Sequence, residues 1–220
     1  MKFATVLLAL ALSFGHAAAV DAGELPTKRQ ASPSTYFTAI RALNLDLNNA
    51  LLGYVGAVLN QYGQYGITWE AIDALHVTLP SNATSVPFDI AMTGAFPTLG
   101  GAVGQSSASN DLNTGSYNYA YLAGIGAVPA GSAVVDQRSS INATEGLLSS
   151  IESALWTVDA STGNLTAHWV NSNGATPVTQ IVYYRRDNVL CFTGDPATFG
   201  SVFGDSPRVL LQAVQIPTVV

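Results

Sequence analysis

Beyond the first nineteen residues, the side chains best suited to proton transfer, metal ligation or nucleophilic attack are His76, His168, Cys191 and a scatter of carboxylates. Each histidine falls in a strand-like run with apolar neighbours, and neither has a second ligand at metal-binding spacing. His-Glu-x-x-His is absent and so is a His-x-His pair, so no metal site is expected. Gly-x-Ser-x-Gly is absent too: Gly104-Gln105-Ser106 continues as Ser107-Ala108. A serine nucleophile would have to meet a histidine and a carboxylate in space, because such triads are defined by geometry rather than chain order. Cys191 lies in the apolar run Val189-Leu190-Cys191-Phe192. Burial there raises a thiol pKa and leaves it inert, so Cys191 reads as core.

Carboxylate pairs come next, since glycoside hydrolysis needs two carboxyls facing one cleft. Glu70 with Asp73, and Glu145 with Glu152, are the pairs the spacing offers; the second would share one helix face. Aromatic residues offer binding rather than catalysis. Tyr117, Tyr119 and Tyr121 alternate along one strand face, and Trp156 and Trp169 sit in strand-like runs, with Trp69, Tyr183 and Tyr184 elsewhere. Flat rings with polar edges stack on sugar rings and bond their hydroxyls, although the same residues also fill sheet cores. The run Gly100-Gly101-Ala102-Val103-Gly104 lacks the lysine and the strand-to-helix order of a phosphate loop, and reads as flexible connection.

These residues must be held by a strand-rich scaffold. Leu47, Leu51, Tyr54, Val55, Val58 and Tyr62 recur at helical spacing, which predicts a helix from Asn44 with an end at Gly63. The tandem Gln61-Tyr62-Gly63 and Gln64-Tyr65-Gly66 is its exit turn. Strands are predicted over Ala74–Leu79, Val86–Met92, Tyr117–Ala123 and Ser132–Val135, with Thr93–Gly115 as a long surface loop between them. Glu145–Leu155 is read as a short helix. Ala154–Val158, Leu165–Val170, Thr176–Tyr184 and Val189–Thr193, joined by Asn/Gly turns, read as an antiparallel meander. Asp195-Pro196, an N-cap followed by an N1 proline, opens a short helix through Phe203, and Arg208–Ile216 is the last strand. The expected class is α+β and strand-rich: an antiparallel sheet or sandwich with one N-terminal helix and one or two short helices.

Lys2, the apolar stretch Phe3–Phe14 and Ala17-Ala18-Ala19 have the order of a secretory signal, which sets a leader over 1–19. A propeptide is expected over 20–29, ending in the dibasic pair Lys28-Arg29, which resembles the processing site of kexin-like proteases of the fungal secretory pathway, and leaves 30–220 as a single globular domain. That stretch has no lysine, which strikes off Schiff-base catalysis and P-loop phosphate binding; no cofactor is expected. Sequons at Asn82, Asn142 and Asn164 in a chain with an export signal predict a glycoprotein carrying at least one surface glycan at these positions. A formal net charge of −6 opposes nonspecific association with nucleic acid. No apolar run reaches the roughly 20 residues of a membrane-spanning helix, so no membrane anchor is expected. The localisation implied is secreted, extracellular or in the cell wall.

The leader, Lys28-Arg29, the segments Leu51-Leu52-Gly53-Tyr54-Val55-Gly56 and Asn60–Gly66, and the block from Leu155-Trp156-Thr157-Val158 to Trp169-Val170-Asn171 together resemble uncharacterised secreted proteins of basidiomycete fungi. The resemblance implies compartment and kingdom. It comes with no assigned activity and transfers no catalytic residue. Three readings stay open: an extracellular fungal protein that binds cell-wall or host glycans without catalysis, a secreted hydrolase using a carboxylate pair or His168 with an acid, and a structural wall component. A binder needs exposed flat aromatics, whereas a hydrolase needs acids converging in a cleft.

Overall fold

The computed structural model describes residues 36–80, 86–132 and 135–215. The leader over 1–19, the propeptide with Lys28 and Arg29, and the sequon at Asn82 lie outside them. In chain order the strands are β1 (Tyr36–Asn44), β2 (Ala50–Val55), β3 (Ile67–Thr68), β4 (Val77–Leu79), β5 (Ile90–Met92), β6 (Thr98–Val103) and β7 (Tyr119–Ile125). There follow β8 (Val135–Gln137), the helix α1 (Ser140–Glu145), β9 (Ser149–Glu152), β10 (Trp156–Val158), β11 (Asn164–Ala167), β12 (Gln180–Tyr184) and β13 (Val189–Thr193). The helix α2 (Pro196–Phe203) precedes β14 (Arg208–Gln215).

All pairings are antiparallel, and the strand-rich expectation holds. The path β14-β12-β13-β7-β6-β5-β4-β1 returns to β14, because β1 and β14 pair from Thr38↔Gln215 to Asn44↔Val209. Closure of this kind removes open sheet edges. Three strands of the ring divide one edge between two partners. β14 gives Arg208 and Val209 to β12, but Gln212 and Leu211 to β11. β1 divides between β4 and β2, and β6 between β5 and β9. The flaps β10–β11, β2–β3 and β8–β9 branch from these forks. Insertion of β14 between β11 and β12 also corrects the simple meander: its hairpins form, but their order is interrupted by the last strand.

The segment from Asn44 to Gly63 is not a helix. The Asn44 carboxamide accepts from the Asp46 N–H at 3.0 Å and folds Leu45–Leu47 into a single 3-10 turn. Asn48 and Asn49 then take positive φ, 51° and 59°, and return the chain as β2. Two consecutive asparagines tolerate the left-handed region and make a tight reversal there. That local signal, with two glycines that each disfavour a helix by about 1 kcal/mol, outweighs the helical spacing. The second predicted helix is also displaced. α1 ends where it was expected to begin, capped by the Ser139 hydroxyl at the Asn142 N–H and closed by Gly146 at φ 71°. Ser149–Glu152 is strand β9. The helix opened by Asp195-Pro196 is as expected, with the Asp195 carboxylate accepting from the Thr198 N–H at 2.9 Å.

The largest correction concerns Thr93–Gly115. Thr98–Val103, which holds Gly100 and Gly101, is strand β6 in the middle of the sheet rather than part of a surface loop, and Gly104 directly follows it. Bare Cα atoms there let large rings lie on the strand: a Cβ on Gly101 would stand 2.6 Å from the Trp169 ring, and one on Gly104 would enter the Tyr119 ring. The principal core joins Ile40, Val55, Val77, Leu99, Leu122, Trp156, Trp169, Phe192 and Leu211 inside the ring. Cys191 belongs to a second cluster with Tyr119, Val182, Val189 and Phe199, and burial pushes its thiol well above the usual range. No helix among the described residues is long and apolar enough to cross a membrane.

Candidate functional site

The expected aromatic face is occupied by the protein itself. Tyr119 and Tyr121 share a face of β7, as their alternation predicts, with hydroxyls 3.0 Å apart. The Tyr119 ring meets Phe199 and Phe203 of α2 edge to face at 5.5 and 5.1 Å, and Tyr117 meets Phe203 at 6.2 Å. α2 covers this face. Trp156 and Trp169 are each 0% exposed, with indole N–H groups spent on the Leu99 and Asn110 carbonyl oxygens at 2.8 and 3.0 Å. Neither ring has a face open to a ligand, so both are core residues rather than binding residues.

Trp69 is the contrary case, at 72% exposed. It leaves the end of β3 between Thr68 and Asp73, and both of those line a groove of about 480 Å³. Asn60 and Asn188 add further polar groups to the lining, and Val58, Leu59 and Ile67 add apolar ones. Ile72 and Val58 are also largely exposed. Isolated exposed apolar residues are ordinary on a protein surface; of these three, Val58 also lines the groove.

The groove is built by a loop from Asn60 to Gly66. The Asn60 carboxamide oxygen accepts from the Tyr62 and Gln64 N–H groups, each at 3.0 Å, and its nitrogen donates to Gln64 Oε1 at 2.9 Å. Beyond it, Tyr65 wedges between two splayed strands: its N–H donates to the Leu122 carbonyl of β7, and its carbonyl accepts from the Leu190 N–H of β13. The duplicated Gln-Tyr-Gly triplets therefore have opposite fates, with Tyr62 exposed and Tyr65 buried. Asn188, in the left-handed region at φ 47°, accepts from the Ile67 N–H at 2.9 Å and donates to the Ile67 carbonyl at 3.2 Å. One carboxamide thus bonds the edge of β3 as a neighbouring strand would. The Tyr183 hydroxyl also donates to the Asn188 side-chain oxygen at 3.0 Å, and Asn188→Ala is expected to lower stability by about 1–3 kcal/mol for the three lost bonds, read as a shift in the urea midpoint at unchanged slope.

On the far side of this loop is a smaller pocket of about 200 Å³, lined by Tyr62, Gln64, Gln105, Tyr121, Glu145 and Asp187. Burial raises the Tyr121 hydroxyl pKa above its ordinary value, and the neighbouring Tyr119 hydroxyl adds to the effect. The structure pairs Glu145 with Asp187 here, and not with Glu152. Glu152 is 4% exposed in β9, opposite Gly101 of β6, and both of its oxygens accept from the Val170 N–H at 2.9 and 3.0 Å. Burial pushes its carboxyl up to about 8, with the Val170 N–H opposing. Glu70 and Asp73 are both exposed around one 3-10 turn, and of the two only Asp73 lines the groove.

His76 is exposed, and His168 Nε2 lies 2.8 Å from Thr157 Oγ1. Among the described residues no group of three or more His, Cys, Asp or Glu is placed to hold a metal ion. Asn142 sits in α1 and Asn164 opens β11, both half-buried. Compared with protein-family models, curated proteins and solved structures, the chain matches none.

Proposed function

We propose that this is an extracellular fungal protein that binds cell-wall or host saccharides without cleaving them, and that Trp69 and its adjoining groove make the contact. The observation that carries the reading is the exposure of Trp69, which directly follows the groove-lining Thr68 in the chain and precedes the groove-lining Asp73. An indole face stacks against the C–H groups of a sugar ring, while hydroxyl and carboxylate groups such as those of Thr68 and Asp73 bond its hydroxyls; the Asn60 and Asn188 carboxamides are held within the protein and shape the groove. Secretion is part of the proposal, supported by the leader-like N-terminus, the dibasic pair and the sequons.

The test is co-sedimentation with insoluble fungal and plant polysaccharides, together with an assay for released reducing ends. Retention without release is the expected result. Trp69→Ala is expected to weaken retention at least about tenfold while leaving the melting temperature within a degree or two, because the side chain is solvated and removes no core contact. Equal retention of the variant would remove Trp69 from the site, and release of reducing ends would overturn the noncatalytic reading.

A further inference from the structure

We propose that Gly56 is the specificity-determining residue of the Trp69 groove: its bare Cα leaves the floor open for the acetamido group of an N-acetylhexosamine, so that the preferred ligand is an N-acetylated amino-sugar chain rather than an unsubstituted glucan. This rests on the saccharide-binding reading of the groove and narrows its ligand. Gly56 directly follows β2, is buried, and lines the groove with Val58, Leu59, Ile67 and Thr68. Two glycines near it are demanded by the fold. A Cβ on Gly53, at φ 133°, would overlap the Thr68 carbonyl, and one on Gly66 would overlap Asn188. Gly56 is under neither constraint. Its φ lies outside the left-handed region, and a Cβ would stand 3.6 Å from Thr68 Cβ and 3.7 Å from Thr68 Cγ2, which is ordinary van der Waals contact. Alanine would fit there and would spare the extra chain entropy that glycine loses on folding. A glycine that its strand does not need marks a place where another molecule comes close to the backbone.

The chemistry of the lining selects the group. The Gly56 N–H donates to the Gly66 carbonyl at 3.0 Å, the Asn60 N–H to the Gln64 carbonyl at 2.9 Å, and the Asn188 carboxamide is spent on Ile67. A sugar hydroxyl set down on Gly56, among Val58, Leu59 and Ile67, would give up its bonds to water against groups already bonded to one another. The methyl of an acetamido group gives up no such bond and gains apolar contact. The lining groups left free are the Thr68 hydroxyl and the Asp73 carboxylate, which make no side-chain hydrogen bond among the described residues. An amide has one N–H to give and one carbonyl to receive: the carboxylate accepts the first, and the hydroxyl donates to the second. A Cβ on Gly56, pointing at the Thr68 side chain, would take the place of the methyl.

The experiment is calorimetric titration of the full chain with N-acetylglucosamine oligomers and β-linked glucose oligomers of equal length. The same series, with thermal unfolding beside it, is run on Gly56→Ala, Thr68→Val and Trp69→Ala. The wild type is expected to bind the N-acetylated oligomer at least about tenfold tighter than the glucose one. Gly56→Ala is expected to melt no lower than wild type and to bind the two oligomers alike, because the floor is filled while Trp69 still stacks. Thr68→Val keeps the shape of the side chain and should lose most of the preference with the hydroxyl. Equal affinity of the wild type for the two oligomers, or a preference that persists in Gly56→Ala and Thr68→Val, overturns the acetamido floor and leaves the groove standing, provided Trp69→Ala weakens both ligands. A clear drop in melting temperature in Gly56→Ala would show that the fold needs this glycine, and it also overturns the inference. N-acetylglucosamine binding that is weakened in Gly56→Ala but survives Trp69→Ala supports the floor and overturns the Trp69 contact. Absence of all binding overturns both.

Discussion

Gly100→Ala is expected to destabilise the fold by about 3 kcal/mol or more, at the upper end of what overpacking a core costs. Gly100 pairs with Ala123 in β7, and on its other side β6 passes from β5 to β9. A Cβ at this position would overlap the Glu152 carbonyl oxygen and the Ile125 side chain, and would stand 3.0 Å from the Ser153 Cα. Two of those three neighbours are backbone, so a rotamer change cannot relieve them and the strands must separate at the fork. The Trp156 N–H bond to the Leu99 carbonyl and the packing of Trp169 over Gly101 lie within a residue of the disturbance. Thermal and urea unfolding read the loss. A melting temperature unchanged in Gly100→Ala would show that β6 is not held at this spacing.

Stability is expected to fall as pH rises from about 4.5 to about 8, the reverse of ordinary acid lability. Glu152 is the cause. Its carboxyl has a folded pKa of about 8 against an unfolded value of 4.5, so the native state binds a proton that the unfolded chain has released over that window. The contribution is fully present below 4.5 and lost as pH rises through 8, and it amounts to about 3–5 kcal/mol. The lowered carboxyls act at the other end. Hydrogen bonds from Ser161 and Thr162 hold Asp159 at about 2, and those from Arg208 and Thr198 lower Asp46 and Asp195. Stabilisation from these three is present above 3.8 and lost in stronger acid. The maximum should therefore lie near pH 4–5. Glu152→Gln keeps an acceptor for the Val170 N–H and cannot ionise. It should be weaker than wild type by about 1–2 kcal/mol at pH 5, for a buried amide N–H left without a partner, and stronger at pH 8. Two urea-midpoint profiles that run parallel from pH 4.5 to 8 would contradict this assignment.

Where a structural signal was local, it was legible in the sequence. Asp195-Pro196 carries its own cap and its own fixed φ, and α2 begins there; the hairpin β12–β13 turns at Arg185–Asp187 with Asn188 in the left-handed region. Alternation correctly put Tyr119 and Tyr121 on one face, but could not say that α2 lies over it, because Phe199 and Phe203 are far along the chain. The same limit hid β6. A run of glycines has no side chains to declare a strand, and what makes it one is the Trp169 and Tyr119 rings that need bare Cα atoms to rest on. Trp69 was separable in principle, since it stands beside Glu70, whereas Trp156 and Trp169 have no carboxylate neighbour in the chain. The approach of Asp187 to Glu145 had no local signal. It depends on Tyr65 bridging Leu122 and Leu190, which brings the Asn60–Gly66 loop against the β12–β13 turn.

Of the three tryptophans, Trp156 and Trp169 are sealed and Trp69 is open, so a neutral quencher such as acrylamide reaches Trp69 alone. Titrating soluble oligosaccharides against acrylamide quenching of the full chain, with Trp69→Phe as the blank, reads the groove without any other reporter. Saccharide occupancy is expected to shield the quenchable fraction progressively to saturation, and Trp69→Phe is expected to show neither the fraction nor the shielding. Quenching that stays the same at every saccharide concentration, while the ligand is bound by calorimetry, would place the binding surface elsewhere and contradict the Trp69 assignment.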